Sequence, residues 1–329
     1  MKISILDQSP VKQGGTAEQA LAETLELARL GDALGYHRFW VSEHHSTAAY
    51  AGSAPEVLLA AIGAQTGRIR LGTGGIMLPH YSTFKVAEVG SLLATLFPDR
   101  VDLGIGRAPG ADMDTARELA HGGTPRFHLF PGQTEELLHK LANQRYRPKI
   151  TPRPAANPEV WMLGTSADSA ELAGRLGLPY NFALFINPDT TTDILRIYKD
   201  AFQPSALLDK PLAGLTLNVY CADTEEKAGQ LARARHLSML RVVTRQGFSG
   251  IGSIAEAESY PYSPEETFYM QQRARYDAIG TPQQAWERIS QLAELFAADE
   301  IMTVTITYDF EDRKRSYTLL AEAMTGRLA

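Results

Sequence analysis

Short runs of β-branched and aromatic residues recur along the chain, and most are followed by a stretch whose apolar residues return every three or four positions. The runs predict eight strands, over Ile3–Leu6, Phe39–Ser42, Leu71–Met77, Val101–Ile105, Val160–Leu163, Phe182–Ile186, Leu215–Tyr220 and Met302–Thr307. The helical spacing predicts helices over Ala17–Leu34, Pro55–Gln65, Thr83–Leu96, Ser169–Leu176, Asp189–Phe202 and Pro282–Phe296, with a last one near Tyr317–Met324. Strand and helix in alternation imply parallel strands. Eight such units fit an α/β (β/α)8 TIM barrel better than a doubly wound sheet, which more often has five or six strands and an appended domain.

The intervals after the fourth and seventh strands are too long for a single helix, so insertions are expected in about residues 106–157 and 222–300. No Pro-rich linker divides the chain, and residues 1–329 read as one barrel domain. The stretch Gly247–Pro264, rich in Gly, Ser, Pro and Tyr, reads as a mobile loop better than as a helix. A lid at about 240–270 is the functional expectation there, and a plain surface loop is the alternative.

Composition narrows the function. Hydrophobic residues at 44% and charged residues at 21% suit a packed globular core and exclude disorder as the main state. A net charge of −6 provides no positive field for a phosphate backbone, which argues against nucleic acid. The one cysteine, Cys221, cannot form an internal disulfide, and one thiol is too few for a zinc-thiolate site. The N-terminus turns polar too early for a signal peptide, and no apolar run reaches membrane-spanning length, so a cytoplasmic protein without membrane contact is expected.

In a barrel the chemistry lies just past the C-terminal ends of the strands. Strand 2 ends in Ser42-Glu43-His44-His45, a carboxylate beside two imidazoles. The bland account is one histidine capping the strand and the other facing solvent. Neighbouring residues at a strand end point to opposite sides, and neither HxH nor HExxH spacing occurs, so no metal site is expected. Strand 3 runs through Gly72-Thr73-Gly74-Gly75 to Leu78-Pro79-His80, where glycines leave room for a flat ligand or, equally, form a bulge at the rim. Strand 4 ends in Gly104-Ile105-Gly106-Arg107-Ala108-Pro109-Gly110, whose third glycine falls one place late for a dinucleotide fingerprint and whose proline interrupts the helix start. What remains is Arg107, a cation suited to a phosphate or a carboxylate. After strand 5, Gly164-Thr165-Ser166-Ala167-Asp168-Ser169 opens a helix and is read as plain capping or as an anion site; Asp168 favours capping unless it points away.

Together these segments resemble the luciferase-like flavin monooxygenase family, along almost the whole chain. The specific parts are Phe39–His45, Gly72–Gly75 with Leu78-Pro79, Gly104–Arg107, Leu163–Ser166, and Gly280-Thr281-Pro282 followed by Asp299–Met302, in family order and spacing. The resemblance implies a barrel with an insertion lid, and a cis peptide at Gly74–Gly75 beneath the flavin isoalloxazine. It places Glu43 and Leu163 close to the flavin and makes Arg107, Ser166, Ser169 and the Thr165 backbone the phosphate cradle. His44 becomes the acid or base beside flavin C4a, His45 a supporting group, and His80 a third candidate. Where bacterial luciferase has a cysteine before the arginine this chain has Gly106, so neither light emission nor a long-chain aldehyde substrate follows.

The chain is more similar to the small bacterial single-gene oxidoreductases of the family. The implied cofactor is FMN, delivered as FMNH2 by a separate NAD(P)H-dependent flavin reductase. Oxygen then forms a C4a-peroxide that a dry pocket protects, for oxygenation of a small organic substrate. A homodimer is implied. The rivals are an F420-dependent hydride-transfer enzyme of the same superfamily, a flavin-binding protein without turnover, and a metal-dependent hydrolase on the same barrel.

Overall fold

The computed structural model describes residues 1–107, 109–244 and 250–326. Eight parallel strands close into a ring: β1 (Lys2–Asp7), β2 (Arg38–Val41), β3 (Arg70–Met77), β4 (Val101–Gly106), β5 (Glu159–Gly164), β6 (Tyr180–Ala183), β7 (Ala213–Cys221) and β9 (Glu300–Val304), the last pairing with both β7 and β1. The predicted (β/α)8 barrel is therefore the fold. A three-residue strand, β8 (Ala278–Gly280), pairs only with the end of β7 outside the ring, and sequence reading missed it.

Around the ring run α1 (Ala17–Leu34), α2 (Pro55–Gly63), α3 (Thr83–Leu96), α4 (Met113–Leu119), α5 (Phe130–Ala142), α6 (Ala167–Arg175), α7 (Ile194–Ala201), α8 (Glu225–Val243), α9 (Ile254–Ser259), α10 (Pro264–Ala274), α11 (Pro282–Phe296) and α12 (Phe310–Met324). The crossover from β4 to β5 carries α4 and α5, and that from β7 to β9 carries α8 to α11. Local signals fix the ends. Thr16 and Gln19 form a reciprocal capping box before α1, and Gly35 at φ 84° closes it, in a conformation that costs glycine least. No helix among the described residues is long and apolar enough to cross a membrane.

Three expectations need correction. Strand 6 ends at Ala183, and Leu184–Ile186 form a turn in which Leu184 is buried, Phe185 half-buried and Ile186 exposed. Its helix starts at Ile194 instead of Asp189, because the Pro-Asp-Thr-Thr-Thr run ahead of it holds turns. Within Gly247–Pro264, residues 247–249 lie outside the described residues, but α9 occupies 254–259 where a loop was expected. Ser253 caps α9, and Ser263 with Glu266 caps α10 just ahead of Pro264, so Ser253, Ser263 and Pro264 mark helix starts.

Side chains alternate along each strand, and the inward set stacks in layers. At the floor, the N-terminal ends of five strands converge. Arg38 donates to Asp102 at 2.8 Å, to Glu300 at 2.9 Å and to Glu159 at 3.4 Å, and Arg70 joins Asp102 and Glu159. Two residues further along, Trp40 and Trp161 meet edge to face at 5.3 Å. Trp40 lies over Gly72, where any Cβ would fall 2.1 Å from the indole. Trp40 Nε1 donates to Asp102 at 3.0 Å and the Arg38 guanidinium sits 4.7 Å from the Trp161 ring, so floor and second layer are tied together. The next inward step brings Ser42, Gly74, Gly106 and Leu163 to the mouth. Outward residues such as Ile5, Phe39, Val41, Leu71 and Leu103 form the larger core between strands and helices.

Candidate active site

Everything predicted for the site lies at this mouth, and the barrel order divides it into two halves. One half rests on β3, β4 and β5. Gly74 pairs with Gly104 and Ile76 with Ile105, so Gly75 is an extra residue in β3, and the Gly74–Gly75 peptide is cis. A Cβ on Gly75 would stand 2.8 Å from both the Gly104 carbonyl oxygen and Leu163 Cδ1, so the bulge and Leu163 are brought into direct contact. Ile105 pairs with Met162, so Arg107 and Gly164 leave neighbouring strands side by side. Arg107 is exposed and forms no ion pair among the described residues; Ala108 beside it lies outside them.

At the start of α6, Ser166 and Ser169 cap reciprocally. The Ser169 hydroxyl is already committed, donating to the Ser166 carbonyl at 2.7 Å and meeting the Tyr180 hydroxyl at 2.9 Å. The Thr165 carbonyl is held by Asn187 Nδ2 at 2.9 Å, and Asp168 is exposed. Capping thus operates at this helix start, while Arg107 and the Ser166 hydroxyl remain beside it. A flat bulge without Cβ atoms and a nearby unpaired guanidinium fit a planar ring system ending in a phosphate.

Glu43 and the two histidines form the seam. Glu43 is buried and accepts three hydrogen bonds: from the Met77 amide at 3.1 Å, the Tyr81 hydroxyl at 3.0 Å and His45 Nε2 at 2.9 Å. Burial and the Glu43 carboxylate push the Tyr81 hydroxyl well above its ordinary value, so it stays a donor. His45 faces His80 at 6.2 Å between ring centres, and His80 Nε2 meets the Pro109 carbonyl at 2.8 Å. The carboxylate expected beside the flavin thus orients the loop after β3 and the second histidine. Glu43→Gln is expected to cost about 1–3 kcal/mol, because an amide NH2 would face donors that have lost their acceptor. Urea unfolding of the variant checks this.

His44 turns the other way. Its Nδ1 lies 3.0 Å from the Ser42 hydroxyl, and its ring stacks on Tyr50 at 4.4 Å. Burial, then the charge of Arg235 and then His45, push its pKa down to about 4, so the ring is neutral at ordinary pH. His44 lines a partly open cavity of about 200 Å³ walled by residues from β7, the segments after β1, β2 and β6, and α8 and α10. Sequence reading missed this second half, including Gln8, Tyr50, Asn218, Arg235 and His236. The signal was present: Ala228, Leu231, Ala232 and Arg235 fall at helical spacing behind the Thr224 cap, which puts an arginine on an apolar face. The described residues contain no group of three or more metal-ligating side chains.

A closed parallel barrel whose mouth joins a neutral histidine, a glycine bulge and a partly open cavity has the layout of a barrel enzyme. The chain belongs to the luciferase-like monooxygenase family, whose model matches residues 1–299. It is 45% identical to an uncharacterized protein of Bacillus subtilis (strain 168), over 98% of this chain and 99% of that one. It is 34% identical to the N-acetyl-S-alkylcysteine monooxygenase of the same organism, over 98% of each chain. Among solved structures, that of apo-MsnO8 superposes with a TM-score of 0.92 at 36% identity, covering 98% of each chain.

Proposed function

We propose that this protein is the oxygenase component of a two-component FMN-dependent monooxygenase, acting on a small organic substrate with FMNH2 made by a separate NAD(P)H-dependent reductase. The observation that carries the reading is the position of His44, a neutral imidazole on the seam between the glycine-lined half of the mouth and the partly open cavity. The bulge at Gly74–Gly75, with Leu163 against it, would lie against the flavin ring, and Arg107 with Ser166 and the Thr165 backbone would hold its phosphate. Bound reduced FMN supplies the electrons that activate oxygen.

The protein's own residues do the rest. His44 exchanges a proton at the reacting centre through Nε2, while Nδ1 stays engaged with the Ser42 hydroxyl. Whichever of these two carries the shared hydrogen sets whether Nε2 is donor or acceptor. Phe185, Met239, Tyr269 and Met270 give the cavity its apolar surface against water, and α10 forms its outer wall as the lid element. The family relative named for N-acetyl-S-alkylcysteine points to small polar organic substrates. The protein works in the cytoplasm as a homodimer.

The test is to mix the protein anaerobically with FMNH2, admit oxygen by stopped flow and follow flavin absorbance. Reoxidation at least tenfold slower than that of free FMNH2 is expected. Reoxidation at the free rate would sink the oxygenase reading and turn attention to F420-dependent hydride transfer or to flavin binding without turnover.

A further inference from the structure

Arg235 is the least expected residue of the cavity. It sits on the inner face of α8 with 5% exposure, as buried as the leucines around it. Its Nη2 donates to the Tyr50 hydroxyl at 2.9 Å, and its Nη1 finds no acceptor. Among the described residues no carboxylate pairs with it. Asp277, whose charge acts on it from a distance, is already taken by His236 Nε2 at 2.8 Å and Asn218 Nδ2 at 3.0 Å. The cavity's other guanidinium, Arg273, spends Nη2 on the Phe185 and Ile186 carbonyls at 3.3 and 2.9 Å. Among the described residues no Asp or Glu lines the cavity, so its wall carries two cations and no anion, with Asp277 acting on Arg235 only from outside the lining.

A buried guanidinium with an open donor and no counter-ion is costly to keep, unless the molecule that enters brings the missing charge. Beside these two cations the lining is mixed: Gln8, His44, Tyr50, Asn218 and His236 bring polar atoms, while Met239, Met270, Phe185 and Ile186 supply an apolar, thioether-bearing part. Building on the monooxygenase reading, we propose that Arg235 is the receptor for a carboxylate on the substrate, and that the substrate class is a small organic acid with an apolar or thioether remainder. The same charge that receives the acid lowers the basicity of His44, so an acid bound at Arg235 raises the pKa of His44 as it places its remainder beside that ring.

The other anion in reach of the mouth is the flavin phosphate, and the experiment separates the two. Calorimetric titrations of the full chain use N-acetyl-S-methylcysteine, N-acetylmethionine and 3-phenylpropionate, each against its primary amide, with FMN titrated in parallel. At least one acid is expected to bind at least tenfold tighter than its amide. In Arg235→Met that preference disappears while the FMN affinity stays within twofold, and Arg235→Lys keeps part of it. An imidazole NMR titration should show the His44 pKa rising with the acid and not with the amide. Equal binding of acid and amide in all three pairs overturns the proposal. So does an acid preference that survives in Arg235→Met, or a loss confined to FMN, which would make Arg235 a phosphate ligand. Should Arg235→Met not fold, the wild-type pairs, the His44 shift and Arg235→Lys decide. These titrations need neither reduced flavin nor oxygen, so failure of the stopped-flow test and failure of this proposal are separate results.

Discussion

His44→Asn should lower kcat/KM for the organic substrate by about 10²–10³ while leaving FMN affinity within twofold, the range typical for loss of a positioned proton-transfer group. Asparagine keeps a polar partner for Ser42 but cannot exchange a proton near neutral pH. The pH profile gives a second reading. With its pKa near 4, His44 is deprotonated through the neutral range, and activity that needs the neutral ring is fully present there and falls only as the pH drops towards 4. Without the positive charge at residue 235, protonation becomes easier, so in Arg235→Met the acid limb of the profile moves to higher pH. Steady-state rates of the reductase-coupled enzyme between pH 4 and 8 check both. An unchanged rate in His44→Asn would move the proton-transfer role elsewhere, with His236 and its Asp277 partner the next pair to examine.

The largest effect on stability is expected at the other end of the barrel. Arg38 is 3% exposed at its side chain, and Asp102 and Glu300, which it joins, are 0% and 3% exposed. Arg38→Met removes the cation that Glu300 depends on, leaving that carboxylate with only the Ser4 hydroxyl, and leaves Asp102 to Arg70 and Trp40. Breaking a buried ion pair from one side costs about 3–5 kcal/mol. For a chain of this size the fall in Tm is on the order of 10 °C. Urea unfolding of Arg38→Met, and of the double variant Arg38→Met/Glu300→Gln, measures it. The double variant should recover part of the loss, because the stranded charge is removed along with its partner. A single-variant loss under about 1 kcal/mol would mean that water already solvates the floor.

Most of the barrel was legible in the sequence because its strands are short runs of Ile, Val, Leu and Phe, and three helices, α1, α3 and α11, carry their apolar stripes from end to end. The floor was not legible. Arg38, Arg70, Asp102, Glu159 and Glu300 each look like the polar edge of a strand, and only ring closure brings their charges together. That Glu43, His44, Gly74, Gly75 and Arg107 lie at one mouth was legible because strand ends of a parallel barrel share one face, and the opposite aim of the two histidines follows from strand alternation. Ser169 fitted less well, since its hydroxyl serves the backbone and Tyr180. The cavity wall escaped notice because α8 is dense in Ala, Arg, Glu and Lys, so its buried arginine resembled a solvated one.

The division of the mouth has a consequence for how such proteins diversify. The ring that would carry the cofactor is built by three consecutive strands, β3 to β5, whereas α8 and α10, half of the opposite wall, belong to a single crossover between β7 and β9. On the proposed reading, drift in that one stretch would change what the enzyme accepts without touching the residues assigned to the flavin. A lineage can thus explore new diets while its chemistry is inherited intact.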